Sequence, residues 1–290
     1  MRGRTDMPGH QAGAGDAVTA GAPAGAGGRA AVGRGTEAAE SATNRATGST
    51  ANSMANSVPA VQITGLHAWY GESHVLHGVD LVVQPGEVVT LLGRNGAGRT
   101  TTLRAIMGLT GARSGSIRIN GVEAIGTPAH RIAHLGVGYC PEERGIFATL
   151  TCEENLLLPP RVAAGSGMSL DEIYAMFPNL RERAGSPGTR LSGGEQQMLA
   201  VARILRTGAR ILLLDEISEG LAPVIVRKLA QMVLALRQRG FTIVMVEQNF
   251  RFAAPLADRF YVLEHGSVVD SFSAAELPGR TQRLGELLGV

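Results

Sequence analysis

From Val61 onward the chain switches between two kinds of hydrophobic patterning. VQITGLHAWY (61–70) and the set Val79, Leu81, Val83 bring apolar residues back with the short period of half-buried antiparallel strands. EVVTLLG (87–93) is a continuous apolar run closed by glycine, which predicts a strand buried on both faces of a parallel sheet. TTLRAIMGL then shows helical spacing up to Gly108, SGSIRING predicts a hairpin, and VGYCPEE another strand. Residues 145–190 break the rhythm with Pro159-Pro160, a Gly-Ser stretch at 165–167 and the amphipathic LDEIYAMF. They predict an inserted helical subdomain, about 145–206 with the helix after SGGE. The first texture resumes with the strand ILLLD, a helix over 224–238 and the strand FTIVMV. RFYVLEHGSVVD predicts a hairpin turning at His265-Gly266, and AAELPGRTQRLGELLG a helical end. The fold class is α/β: a mixed sheet, an antiparallel β edge subdomain and a helical insert.

Composition changes this picture at one end only. Residues 1–57 are dominated by Ala, Gly, Ser and Thr and contain no Leu, Ile, Phe, Tyr or Trp. Such a segment buries too little apolar surface to offset its ordering entropy, so disorder is expected there, with the folded domain at 61–290. The functional chain is expected to start near Met54, the upstream part being a dispensable extension or a misplaced start. The net charge of +2 gives no electrostatic case for nucleic acid or an anionic membrane. No apolar run approaches the ~20 residues of a spanning helix, so action at a membrane needs another chain to cross it. Cys140 and Cys152 form no metal or disulfide pattern, and His130 and His134 lack the glutamate of a zinc helix. Of the 27 basic residues only Lys228 is lysine.

That last fact bears on the first chemical motif. GRNGAGRTT (93–101) fills the phosphate-binding pattern G-x-x-x-x-G-K-[ST] at Gly93, Gly98 and Thr100, with Arg99 in the lysine position. It lies between a buried strand and a helix, where backbone N–H groups from Asn95 to Thr101 converge on phosphate oxygens. Arg94 and Ala97 complete the loop, Gly96 and Gly98 allow close approach, and the Thr100 hydroxyl is placed for Mg²⁺. ILLLDE (211–216) ends a buried strand in two acids. Asp215 suits a magnesium shell and Glu216 can polarise an attacking water, although alone the run reads as a capped core strand. LSGGEQQ (191–197) opens a helix with Leu191, Ser192, Gly193, Gly194 and Glu195, a second anion-binding geometry. Far along the chain, it cannot easily serve the same nucleotide from the same chain.

With these residues in place, 61–290 resembles the ATP-binding subunits of ABC transporters, P-loop NTPases. YCPEERGIF, SGGEQQMLAVARIL, SEGLAP, VEQN and YVLEHG are similar to the subfamily importing branched-chain amino acids and related solutes such as urea or short amides. The resemblance implies ATP and Mg²⁺, with the LSGGE of one subunit closing over ATP held by the glycine-rich loop of another. It implies a heterodimer of two different ATP-binding subunits (a homodimer less so), two transmembrane permease subunits and an extracytoplasmic solute-binding protein. It implies no nucleic acid, and a peripheral place at the cytoplasmic face of the cell membrane.

By position, Tyr70 would stack on adenine; the plain alternative is a core tyrosine at a strand end. Glu142 takes the place of the family's usual glutamine and, as a hard carboxylate, would join Thr100 and Asp215 at the metal. Ser218 to Leu221 would touch the opposite nucleotide site. The resemblance implies catalytic roles for Glu216 and for Gln248. Gln248 stands in place of a histidine and can orient a γ-phosphate or water without exchanging a proton.

Two departures stand out. Ile217 replaces the proline after the catalytic glutamate, and Arg99 replaces the phosphate lysine. A planar fork is not a compact ammonium, so its guanidinium is expected to crowd the β- and γ-phosphates or point away. This leaves a second reading open: a nucleotide-binding but hydrolysis-deficient regulator or degenerate subunit.

Overall fold

The computed structural model describes residues 57–162 and 167–288. The disorder expected of 1–57 thus lies, Ser57 apart, outside the described residues. Strands β1 (Val61–Tyr70), β2 (Ser73–Val83) and β3 (Val88–Leu92) precede helix α1 (Arg99–Ile106). Then come β4 (Arg113–Ile119), β5 (Val122–Glu123), α2 (Ala129–Ala133) and β6 (Val137–Cys140). The insert holds α3 (Cys152–Leu157), α4 (Leu170–Met176), α5 (Pro178–Glu182) and α6 (Gly193–Arg206). After it follow β7 (Ile211–Asp215), α7 (Pro223–Gln238), β8 (Thr242–Val246), α8 (Phe250–Ala253), β9 (Arg259–Glu264), β10 (Ser267–Ser273) and α9 (Thr281–Leu288).

Two sheets result. The larger runs β10-β9-β3-β8-β7-β6, parallel except for the antiparallel β10, and the smaller runs β2-β1-β4-β5, antiparallel throughout. The antiparallel β edge subdomain is thus a sheet of its own beside the mixed one, as expected. Its strand β1 is paired on both sides, which leaves it no free edge to join the main sheet.

Every residue of β3, β7 and β8 is buried, as the continuous apolar runs require. The period of two still sorts their side chains. Val88, Leu212, Leu214, Ile243 and Met245 join the core beneath α6 and α7. Val89, Leu91, Ile211, Leu213, Val244 and Val246 join the core shared with α1 and the smaller sheet. The main sheet is thereby covered on both faces, and its loops are left to carry chemistry.

Local signals explain where elements start and stop. Asn120-Gly121 and His265-Gly266 adopt paired left-handed angles, the hairpin turns their dipeptides demand. At Gly266 a Cβ would collide with the Val75 carbonyl of β2, so only glycine lets this turn lie against the smaller sheet. LDEIYAMF stops at Phe177 because Pro178 begins a new helix. The helical end is broken: a 3-10 segment (Ala274–Gly279) around Pro278 precedes α9, because a prolyl ring cannot continue the ladder.

In the insert, Thr151, Ser169 and Ser192 each cap a helix in a reciprocal bond with a glutamate three residues on. Thr151→Ala should cost about 1 kcal/mol, measured by urea unfolding. Just inside that helix, the buried Asn155 amide donates to the carbonyls of Phe147, Leu150 and Thr151 and accepts from the Phe147 N–H. One side chain so closes the loop joining Glu142 to the insert. Both cysteines are buried and unbridged, and burial pushes the Cys140 thiol up to about 12.

Candidate functional site

The six-stranded order places β8 between β3 and β7, so the glycine-rich loop and the acidic strand end flank one strand. Both leave the same edge of the parallel sheet, where loops and helix N-termini form a crevice. The loop turns into α1 at Gly98, whose φ of 100° no other residue adopts without strain. Any Cβ there would also press on Leu76 of β2. Gly93, Arg94, Asn95, Gly96 and Ala97 wrap the start of the helix, held by bonds from the Ala97 N–H to Arg94 O and from the Gly266 N–H to Ala97 O.

The sequence-predicted acids sit against this loop. Asp215 is fully buried and accepts from Thr100 Oγ1 at 2.9 Å and from the Tyr139 hydroxyl at 2.9 Å. Burial pushes its carboxyl up, against the pull of those two bonds. Glu216 follows with a left-handed φ of 48°, its N–H bonded to Val246 O at 2.8 Å. That conformation turns its carboxylate off the strand line toward the loop.

Glu142, Glu216 and Glu219 bring one oxygen each within 4.8 Å of one another. Burial, a bond with Glu219 and the repulsion of both glutamates push Glu216 up to about 7, with Arg99 opposing. A cleft of about 280 Å³ lies between these groups and the loop, lined by Asn95, Gly96, Gly98, Arg99, Thr100, Thr101 and the three glutamates. The set fits a hard divalent cation beside phosphate: oxygen donors only, crowded enough that a cation relieves their repulsion.

Arg99 takes neither of its expected courses in full. Its guanidinium is 4% exposed and turned onto the acids, with Nη2 donating to Glu216 Oε1 at 2.8 Å and to Asn95 Oδ1 at 3.0 Å. Its Nη1 is buried with no hydrogen-bond partner among the described residues.

The remaining candidates separate into two groups. Tyr70 ends β1, 39% exposed, and Gln248 lies in a second cleft with Glu216, Ser218, Glu219 and Arg227. Leu191, Ser192, Gly193, Gly194 and Glu195 open α6 and line neither cleft. Ser192 caps that helix, Glu195 pairs with Arg183 at 3.3 Å, and Gly194 packs so closely on Ile225 of α7 that a Cβ would not fit. The helix N-terminus thus takes no part in lining this chain's own loop site.

Sequence reasoning gave two residues no role, and gave Glu219 one only at the opposite site. Tyr139, Glu219 and Glu247 reach the site, and Glu247 binds Ser218 through both its N–H at 3.2 Å and its hydroxyl at 2.6 Å. Each lies in a motif, Tyr139 opening YCPEERGIF, Glu219 within SEGLAP and Glu247 within VEQN, but strand order is what brings them to this loop.

The family described as ABC transporter matches residues 76–219. A high-affinity branched-chain amino acid transport ATP-binding protein of Pseudomonas aeruginosa is 42% identical, over 72% of this chain and 91% of that protein. A probable branched-chain amino acid transport ATP-binding protein of Archaeoglobus fulgidus is 36% identical, over 73% and 91%. Among solved structures, a nucleotide-free ATP-binding cassette from an ABC transporter superposes with a TM-score of 0.69 at 19% identity, covering 80% of this chain and 99% of that one. A dimeric post-hydrolysis cassette bound to ADP and Pi superposes with a TM-score of 0.65 at 24% identity, covering 74% and 98%. These two likenesses establish the fold.

Proposed function

The chain belongs to the ATP-binding proteins of ABC transporters, and from that membership we propose that it energises import of branched-chain amino acids or related small polar solutes. The observation that carries the chemistry is the Thr100–Asp215 hydrogen bond, which sets loop hydroxyl and buried carboxylate side by side. The solute rests on the two amino-acid relatives. Residues 61–290 are the ATP-binding domain and about 145–206 its helical insert, with 1–57 an extension.

ATP would lie on Gly93 to Thr101, with its adenine against Tyr70. A magnesium ion held by Thr100, Asp215 and Glu142 would neutralise charge on the phosphate oxygens. Water attacks the γ-phosphorus in line, the bond to the ADP oxygen breaks, and Glu216 orients the water and draws off its proton, with Gln248 as a positional donor. Leu191 to Glu195 would serve the nucleotide of a facing subunit, because they do not line this chain's own cleft. The partners are a different ATP-binding subunit, two permease subunits that cross the membrane and an extracytoplasmic solute-binding protein. No helix among the described residues is long and apolar enough to cross it. The proposed place, peripheral at the cytoplasmic face, rests on family membership.

Arg99 splits the two composite sites. With its cation committed to Glu216, this chain's own site binds nucleotide but turns it over slowly. Arg99→Lys in the purified heterodimer should raise steady-state ATP hydrolysis about two-fold, as a second site joins a working one. Equal rates would sink the idea. The same ion pair favours one other reading, a hydrolysis-deficient regulator, which should purify without permease subunits.

A further inference from the structure

The arginine at the lysine position of the loop does something a lysine could not do at once. A guanidinium offers five N–H donors in a fixed plane, an ammonium a single nitrogen. Here Nη2 is spent on Glu216 and Asn95, Nη1 is buried with no partner among the described residues, and Arg99 lines the phosphate cleft. A buried donor without a partner costs free energy unless a ligand completes it, and the ligand matching a cation on a glycine-rich loop is an anion. The ion pair itself is almost dry, with Arg99 4% and Glu216 10% exposed. Removing either partner leaves the other's charge in a poorly solvated place.

We infer that Arg99 is a shared counter-ion that couples phosphate binding in the loop to the carboxylate of Glu216. This rests on reading 93–101 as the nucleotide site. One cation faces two anions, the nucleotide phosphates on the Nη1 side and Glu216 on the Nη2 side. When the guanidinium stays on Glu216, the carboxylate that should meet water has one oxygen occupied. When it turns to the phosphates, Glu216 loses its counter-ion beside Glu142 and Glu219. Each anion thus sets the terms on which the other is held. Arg99 acts on Glu216 as a positioning residue, and the slow turnover at this site follows from the sharing rather than from bulk alone.

The test is a double-mutant cycle read on nucleotide affinity, which needs no turnover. The full-length chain, alone and in EDTA, is titrated with a fluorescent ATP analogue. Four proteins are compared: the unaltered chain, Arg99→Lys, Glu216→Gln and the double variant. Removing the Glu216 charge frees the guanidinium for phosphate, so Glu216→Gln should tighten binding by at least about five-fold more in the Arg99 chain than in the Arg99→Lys background. Equal gains in both backgrounds overturn the coupling. Binding by none of the four overturns the reading of the loop as well, so the two failures are distinct. Should Glu216→Gln lower the folded fraction, Glu216→Asp closes the same cycle, since it draws the carboxylate back by one methylene.

Discussion

Glutamate at Ser192 should lower ATP hydrolysis by the assembled pair at least about 100-fold, the scale on which a single preorganised donor to a developing charge is lost. The same substitution should leave nucleotide affinity of the isolated chain unchanged. Ser192 is exposed at the N-terminus of the 14-residue α6, where the positive end of the helix favours an anion. A carboxylate installed there occupies that place and repels the phosphate that should reach it. The substitution also removes the Ser192–Glu195 cap, a cost of about 1 kcal/mol, so urea unfolding of the variant separates loss of function from loss of folding. Leu191 to Glu195 do not line this chain's own cleft, which is why its own affinity should hold. Retained hydrolysis in the pair, or lost affinity in the isolated chain, would place the signature helix at the wrong site. The damage should also exceed that of altering Arg99, because Leu191 to Glu195 are proposed to serve the partner's loop, the stronger of the two sites.

Much of this arrangement is legible in the chain, for local reasons. VVTLL and ILLLD announce buried parallel strands because nothing polar interrupts them, and the groups that end them, Gly93 and Asp215, are those the chemistry uses. Asn120-Gly121 and His265-Gly266 fix their hairpins by backbone angle alone. What the chain hides depends on order in space. That β8 comes between β3 and β7 is a property of the sheet, and it sets which acid meets the loop. Sequence alone allows Arg99 to crowd the phosphates or point away, because the carboxylate that captures it stands 117 positions along. Asn155 looks like an ordinary helix residue, and its role appears only once the loop 147–151 folds back on it.

Glu247 is the other residue that only the fold reveals, and it carries the largest expected effect on stability. It is 2% exposed, follows the end of β8 and accepts from both the N–H and the hydroxyl of Ser218. Burial pushes its carboxyl from 4.5 up to about 7, although the two bonds and the Arg99 charge pull the other way. The folded chain therefore holds this proton more tightly than the unfolded chain. The resulting stability is fully present below pH 4.5, and is lost as pH rises through 7. Ionised in place, the group costs roughly 3 kcal/mol. Glu247→Gln keeps an acceptor for the Ser218 N–H and a donor toward its hydroxyl, yet never ionises. It should raise stability at pH 8 by up to roughly 3 kcal/mol and flatten the decline between pH 4.5 and 7. Glu216, raised in the same sense, keeps some of that slope in the variant. Urea unfolding at a series of pH values measures both chains, and parallel curves would show that Glu247 is not the buried titrating group. Ser218 begins the segment expected to touch the facing nucleotide. At neutral pH the fold thus retains a strained acid where the two subunits are proposed to meet, and relieving that strain should rigidify the contact.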